Sequence, residues 1–510
     1  MVYLDPKDKK YCGVLLHPTS LPSKEICGTL GQSCLRFLES LNSNGIKIWQ
    51  FLPLSPPDSI GSPYSSPSSF ALNPWLIDSS SLIDQGYISV DFNSDSFLKD
   101  HNSSTGRFDF EKADLRASKV SKMLIDNWSK QSKERHSSFN LWFKNNLWIE
   151  DHACFYELKK QNDLKPWWEW PKEYSIRDKN TISNWKKNNR NILLSYALMQ
   201  WHLDKQWKLI KNYAEKLNII LFGDVPFYVA KDSADVWGNQ NLFAINSDGN
   251  SLHQSGVPPD YFSETGQLWG NPTYYWNKHK RTKFIWWRNR FKRQWELFHL
   301  LRLDHFRALS GYWCINGKDQ TAKNGRWKPS PGLHLLNFLK KDFRLNKLPL
   351  VAEDLGVITS DVDRLRNYFN LYGMKILQFA FDGNPDNPYL PKNITERDFI
   401  AYTGTHDNQT TESWWKESND EIKRQVLSIS DINIQSPSMR FIDLGMSTQA
   451  SIFIAPIQDI LGLDDKARFN KPGTTKGNWD WKLQIKNDEL NQSLKNYGDL
   501  ATKHNRNMNK

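Results

Sequence analysis

Cysteine is scarce in this chain of 510 residues, and its five copies are an odd number. Cys12, Cys27, Cys34, Cys154 and Cys314 contain no C-x-x-C pair, so neither a zinc knuckle nor a disulfide framework is expected. They read as reduced thiols of a cytoplasmic protein. No stretch approaches the roughly 18 uninterrupted apolar residues of a membrane helix. The opening MVYLDPKDKKYCGVLL has no long apolar run closed by a small-residue cleavage site, so no secretory leader is expected. Glycine is thin where a nucleotide site would need it. Gly28 and Gly31 in GTLGQS are too few for a dinucleotide turn, and no Lys-Ser/Thr follows a glycine run. No His-x-x-x-His spacing and no EF-hand loop appears, so no metal and no cofactor is expected.

Acidic charge is outnumbered, 56 Asp and Glu against 67 Lys and Arg, for a net +11. The basic residues are scattered and no helix-turn-helix, zinc-finger or RNP-like pattern accompanies them. A solvated lysine-rich surface is therefore expected, with no nucleic-acid partner. Tryptophan, by contrast, is abundant at 23 copies. Clusters such as Trp167, Trp168 and Trp170, or Trp286 and Trp287, are core residues by default. Some tryptophans can serve as flat platforms, which suit sugar rings or bases equally. The sequence leaves the oligomeric state open.

Eight short apolar runs punctuate the chain: Cys12–Leu16, Ile46–Leu52, Leu217–Val225, Leu300–Asp304, Leu348–Glu353, Met374–Phe379, Ile400–Thr403 and Ser451–Ile457. Their length and their Val, Ile, Leu and aromatic content predict strands buried on both faces. Amphipathic stretches between them, including Gln32–Leu41, Leu193–Leu217, Trp286–His299, Leu333–Phe343 and Ser360–Tyr372, predict helices. Eight strand–helix alternations predict an α/β fold, a closed (β/α)8 TIM barrel with large insertions between barrel strands. About 165 residues separate the second and third runs, far more than a βα unit needs. The expected division is a discontinuous barrel of residues 1–55 and 191–510, with a mostly helical subdomain, 56–190, inserted after the second strand. A further loop region covers about 228–277. Both insertions fall on the face where such barrels carry their sites, which predicts a deep, covered groove.

Asp224, Asp304, Glu353, Asp382 and Asp407 lie at or just after five predicted strand ends. One such carboxylate is ordinarily a helix N-cap or a surface residue; five on one rim are harder to explain that way. Adjacent strands lie about 4.8 Å apart, so Asp304 and Glu353 are expected to present carboxyls roughly 5 Å apart, the separation of a retaining glycosidase. Arg302, two residues before Asp304, shares its face and should favour its ionised form. Glu353, beside a second negative charge, should have its pKa raised, as a general acid requires. For His406 and Asp407, THDN is good turn chemistry. The functional reading has Asp407 stabilising positive charge on a distorted sugar while His406 donates a hydrogen bond.

Six ordered segments carry a resemblance. LRLDHFRAL at 301–309, VAEDLG at 351–356 and TGTHDNQT at 403–410 look like the catalytic segments of the α-amylase clan. GSPYSSPSSFALNPWLID at 61–78, GDVPFYVAKDSADVW at 223–237 and GVPPDYFSETGQLWGNP at 256–272 narrow it to the 4-α-glucanotransferases, the amylomaltase or disproportionating-enzyme family. The resemblance runs from about Gly13 to Trp481. It implies transfer of α-1,4-glucan segments between maltooligosaccharides by a retaining double displacement. Asp304 would be the nucleophile, Glu353 the acid/base and Asp407 the transition-state stabiliser. Arg302 and His406 would hold the sugar next to the cut, Tyr64 would form an aromatic platform, and Gln267 and Trp269 would lie in a loop folded over the groove. Asp224, His305 and Asn478 complete the expected substrate-binding set, with Trp479 beside Asn478 in a closing segment. Ala308 and Gln409 stand where the family more often has Gly and Asp. Two rivals remain: a hydrolase on the same barrel, and a catalytically silent glucan binder.

Overall fold

The computed structural model describes residues 9–94, 106–259 and 263–508. Each of the eight apolar runs overlaps a strand: β1 (Tyr11–Leu15), β2 (Ile48–Gln50), β3 (Ile220–Val225), β4 (Leu300–Leu303), β5 (Leu350–Ala352), β6 (Gly373–Ile376), β7 (Phe399–Tyr402) and β8 (Ile452–Pro456). They form one parallel sheet in the order β6-β7-β8-β1-β2-β3-β4-β5. The sheet closes where the Ala352 N–H donates to the Tyr372 carbonyl at 2.8 Å, joining β5 to the start of β6. The result is a (β/α)8 barrel.

Almost every strand residue is buried, which is why these segments read as continuous apolar runs instead of alternating ones. The third run shortens at its front. The helix Arg190–Lys216 continues almost into it, and Asn218 turns the chain in the left-handed region (φ 56°) before β3 begins. The sixth run is strand only to Ile376, after which Leu377–Phe379 form a 3-10 turn. Gly223 in β3 has a steric cause: a Cβ there would stand 2.2 Å from the Phe298 ring. That close approach packs the strand bearing Asp224 against the segment leading into β4.

Between β2 and β3 the chain builds helices Phe110–Trp128, Lys133–Asn145 and Trp148–Gln161, with shorter ones around them. They share one apolar cluster with the barrel helix Arg190–Lys216. Trp201 of that helix lies 5.8 Å from Trp128 and 5.6 Å from Phe139. Trp167 and Trp170 are buried: the Trp167 indole donates to the Lys231 carbonyl at 2.8 Å, and Trp170 packs on Trp237 at 5.7 Å. These two tryptophans of the WWEWP stretch are thus core.

The region after β3 folds into a second, antiparallel sheet. Its strands run in the order Gln267–Pro272, His253–Val257, Gly311–Asn316, Arg326–Pro329. The last two come from the stretch following β4, an elaboration not foreseen in the sequence. Among the described residues no helix is long and apolar enough to cross a membrane. All five cysteines are buried, and none forms a disulfide.

The chain returns to the barrel through its last helix, Asn487–Lys503. Tyr497 donates to the Gly13 carbonyl of β1 at 2.7 Å. Fully buried Arg506 donates through Nε to the Met446 carbonyl (2.7 Å) and through Nη2 to that of Thr448 (2.8 Å). Arg506→Met keeps the apolar stem and removes these donors, and we expect it to lower unfolding free energy by about 3 kcal/mol. Urea unfolding measures this; no change would mean that water satisfies the carbonyls equally well.

Candidate active site

Three adjacent strands set the centre. Register places Asp224 of β3 opposite Arg302 of β4, and Leu303 of β4 opposite Ala352 of β5. The ladder continues one residue past the strands: the Asp304 N–H donates to the Val225 carbonyl at 3.0 Å and the Glu353 N–H to that of Leu303 at 3.2 Å. Asp304 and Glu353 therefore leave the sheet side by side.

Arg302 lies between two carboxylates. Its Nη1 donates to Asp224 Oδ2 at 2.6 Å and its Nη2 to Asp304 Oδ1 at 2.7 Å. Burial opposes its charge, but Asp224 and Asp304 outweigh that and hold its pKa well above the ordinary arginine value. Asp224 is buried, which pushes its own pKa upward against the pull of Arg302. Asp304, by contrast, keeps 31% of its side chain exposed to the groove.

Tyr64, in the 3-10 turn Pro63–Ser65, donates its hydroxyl to Asp224 Oδ2 at 2.6 Å. Burial, then the Asp224 charge, push this phenol well above its usual pKa, so it remains a donor. Its ring stacks on His406 at 5.1 Å with 8° between planes, and Trp479 tilts against both at 5.8 and 5.9 Å. Tyr64 thus joins the β3 side of the rim to the loop after β7.

Glu353 accepts from two backbone N–H groups, His305 at 2.7 Å and Leu355 at 3.2 Å. Its pKa is pushed up to about 7, and the leading cause is burial. Arg302 pulls it down and Asp304 pushes it up. The pKa is raised as expected, but the neighbouring negative charge is a secondary cause, offset by Arg302, and burial is the leading one. His305 adopts the left-handed conformation (φ 52°), rare for a side-chain-bearing residue, and its N–H meets Glu353 in this geometry. Burial lowers its imidazole pKa to about 4, so it is neutral. Its ring meets the Trp269 ring edge-on at 4.8 Å, and its Nε2 is buried without a partner among the described residues.

Across the rim, Asp407 is 47% exposed in its side chain and one oxygen is held from two directions. Asn470 Nδ2 donates to Oδ1 at 2.6 Å, and His406 Nε2 stands 3.2 Å from the same atom. Arg468 holds the Asp407 carbonyl at 2.6 Å. Buried Asp459 accepts from the Thr411 N–H and hydroxyl at 2.7 Å each and from Thr403, closing both ends of the 403–411 loop. Asn470, Arg468 and Asp459 all follow β8 and were not singled out in the sequence. RFNKPG offers no motif of its own, and only the adjacency of β7 and β8 reveals its purpose.

The remaining expected residues fall differently. Gln267 and Trp269 lie on the outer strand of the second sheet, with the Trp269 indole donating to Gln267 Oε1 at 3.2 Å. Asn478 is buried and occupied by its own loop: it accepts from the Lys471 N–H at 2.9 Å and donates to the Thr474 carbonyl at 2.9 Å. Asp382 does not join the rim. It is exposed six residues beyond β6 and accepts from the Asn384 N–H at 3.0 Å, which makes it a turn residue.

A (β/α)8 barrel presenting an arginine-paired carboxylate beside a second carboxyl with raised pKa has the equipment of an enzyme acting on glycosidic bonds. Comparison with known proteins specifies which. A family model described as 4-alpha-glucanotransferase matches residues 16–487. A 4-alpha-glucanotransferase of Synechocystis sp. is 38% identical over 502 residues, 97% of each chain. One of Thermus thermophilus is 39% identical over 480 residues, 92% of this chain and 94% of that protein. A solved amylomaltase of Streptococcus agalactiae, in complex with acarbose, has a TM-score of 0.92 at 32% identity, covering 98% of this chain and all of that one. The chain belongs to the 4-α-glucanotransferase family.

Arg302→Met would leave Asp224 buried without its cation, so we expect a loss of about 3–5 kcal/mol. Asp224→Asn in that background should recover most of it, as a denaturation double-mutant cycle measures. Additive losses would show that the fork does not hold the two together.

Proposed function

We propose that this 4-α-glucanotransferase works by double displacement, with Asp304 as nucleophile, Glu353 as acid and base, and Asp407 as stabiliser of the charged sugar. The observation that carries this is the Arg302 fork, which holds Asp304 against a cation beside a Glu353 that burial keeps protonated toward neutral pH. In the first step Asp304 attacks the anomeric carbon, the bond to the leaving oxygen breaks, and the Glu353 proton goes to that oxygen. A glycosyl ester on Asp304 remains. In the second, the 4-hydroxyl of another glucan attacks the same carbon, Glu353 takes its proton, and the ester bond breaks to restore Asp304. The atoms balance with no redox, nucleotide or metal partner.

Arg302, Asp224, Tyr64 and His406 form one connected wall, and we assign it to the sugar beside the cut. Neutral His305, with its unpaired Nε2, Gln267 and Trp269 are assigned to the opposite side, and Asn478 to shaping the loop that carries Trp479. Trp269 standing over His305 supports a partly covered site in which an acceptor sugar competes well with water. We keep the division into a barrel, 1–55 and 191–510, and an insertion, 56–190, that supplies Tyr64. Five buried cysteines outside any disulfide support a cytoplasmic setting.

Incubation with maltotriose alone should give glucose and a ladder of longer maltooligosaccharides at constant reducing ends. Rising reducing ends with glucose and maltose would favour the hydrolase, and binding without turnover the silent binder. Asp304→Asn should abolish turnover; unchanged turnover would remove the nucleophile assignment. Because Glu353 must carry a proton in the first step, kcat/KM should fall as pH rises through about 7. Glu353→Gln should lose about 10²–10⁴-fold with maltotriose and far less with a glucosyl fluoride, whose leaving group needs no proton. An equal loss with both donors would contradict the acid role.

A further inference from the structure

All 23 tryptophans lie within the described residues, and only Trp269 (36%) and Trp327 (41%) are exposed. Both sit on the outer strands of the second sheet, Trp269 on Gln267–Pro272 and Trp327 on Arg326–Pro329. Both also meet the short segment following Asp304. Trp269 touches His305, and the Arg307 guanidinium lies over the Trp327 ring, 3.9 Å from its centre. Arg307 Nη1 in turn donates to the Val357 carbonyl at 2.6 Å, four residues past Glu353. Trp327 is therefore fastened to the same two segments that carry the proposed nucleophile and acid.

An exposed indole on an edge strand is a solubility and aggregation liability, and the arrangement around this one suggests a purpose. Arg307 covers one face and Trp313 approaches at 5.3 Å and 65°, which together fix the ring's orientation. Three inter-strand steps separate the two outer strands, about 14 Å. Register pairs Trp327 with Trp313, Trp313 with Gly256 and Gly256 with Leu268, so Trp327 and Trp269 project from opposite faces of this sheet, and it is the Arg307 side chain, three residues past Asp304, that sets the Trp327 ring apart from the reacting bond. The faces of a glucose ring present C–H groups while its hydroxyls lie around the edge, so a flat indole takes the face and leaves the hydroxyls in water.

We propose that Trp327, oriented by Arg307, is a distal platform for a glucose ring of the acceptor glucan, several units beyond the bond being formed. This rests on the mechanism above, since it is the acid's role that places Val357 and Arg307 on the side where the leaving chain departs and the acceptor enters. A long acceptor reaches the platform; a single glucose does not. Trp327 thus sets preference for acceptor length.

The test uses maltotriose as donor and compares kcat/KM for elongation of reducing-end-tagged maltoheptaose with that for radiolabelled glucose. In Trp327→Ala the maltoheptaose-to-glucose ratio should fall about three- to tenfold, the worth of one aromatic contact. Trp327→Phe should keep most of the ratio. A ratio unchanged in Trp327→Ala would overturn the proposal, whether both rates fall together from a structural defect or neither moves. Failure of the unaltered protein to elongate either acceptor would overturn the transfer mechanism along with it.

Discussion

The guanidinium of Arg302 reaches Asp224 with one nitrogen and Asp304 with the other, and the rim is organised around that fork. A buried Asp224 alone would take up a proton or force the strand ends apart; paired, it becomes a fixed anchor. Tyr64 uses the anchor, bonding Asp224 and stacking on His406, so a residue from the insertion fixes the far side of the groove. The same fork leaves Asp304 open to the groove and offsets its charge where Glu353 stands. Two carboxyls one strand apart can then differ: one is paired with a cation, the other is raised by burial to about 7. A lysine, with a point charge in place of a planar fork, could not bond both partners in this way.

Much of this was legible in the sequence because a parallel barrel writes itself plainly. Strands buried on both faces give unbroken apolar runs, and Asp304 and Glu353 follow directly from where two neighbouring runs end. Asp382 shows the limit: the sixth run looks like strand to Phe379, but the sheet stops at Ile376 and the aspartate falls in an exposed turn. The cause of the Glu353 shift was also out of reach, since burial depends on what the insertions cover. Asn470 and Arg468 act on Asp407 across more than sixty positions, a relation that exists only because β7 and β8 are neighbours. The two strands contributed by Gly311–Asn316 and Arg326–Pro329 were missed for a related reason: short, partly exposed strands leave little apolar pattern.

Most tryptophans are buried or half-buried, and two are exposed. Trp49, Trp207, Trp237 and Trp287 fill the core, and Trp167 and Trp170 tie the insertion to the loop after β3. Trp479, though buried, borders the site through Tyr64 and His406. The exposed pair lies on the second sheet, whose strands come from the stretches flanking β4. A barrel strand carrying the centre and a sheet carrying exposed rings are thereby built from one continuous part of the chain, residues 253–329. That continuity ties the exposed rings directly to the strand that leads into Asp304.

The division of labour between the two carboxyls is tested most directly by trapping the intermediate. A fluorinated glucosyl fluoride should load the enzyme and add one glycosyl mass to it. Peptide mass spectrometry should then place the ester on Asp304. An ester on Glu353 or Asp407, or turnover with no covalent species at all, would contradict the account of how this site works.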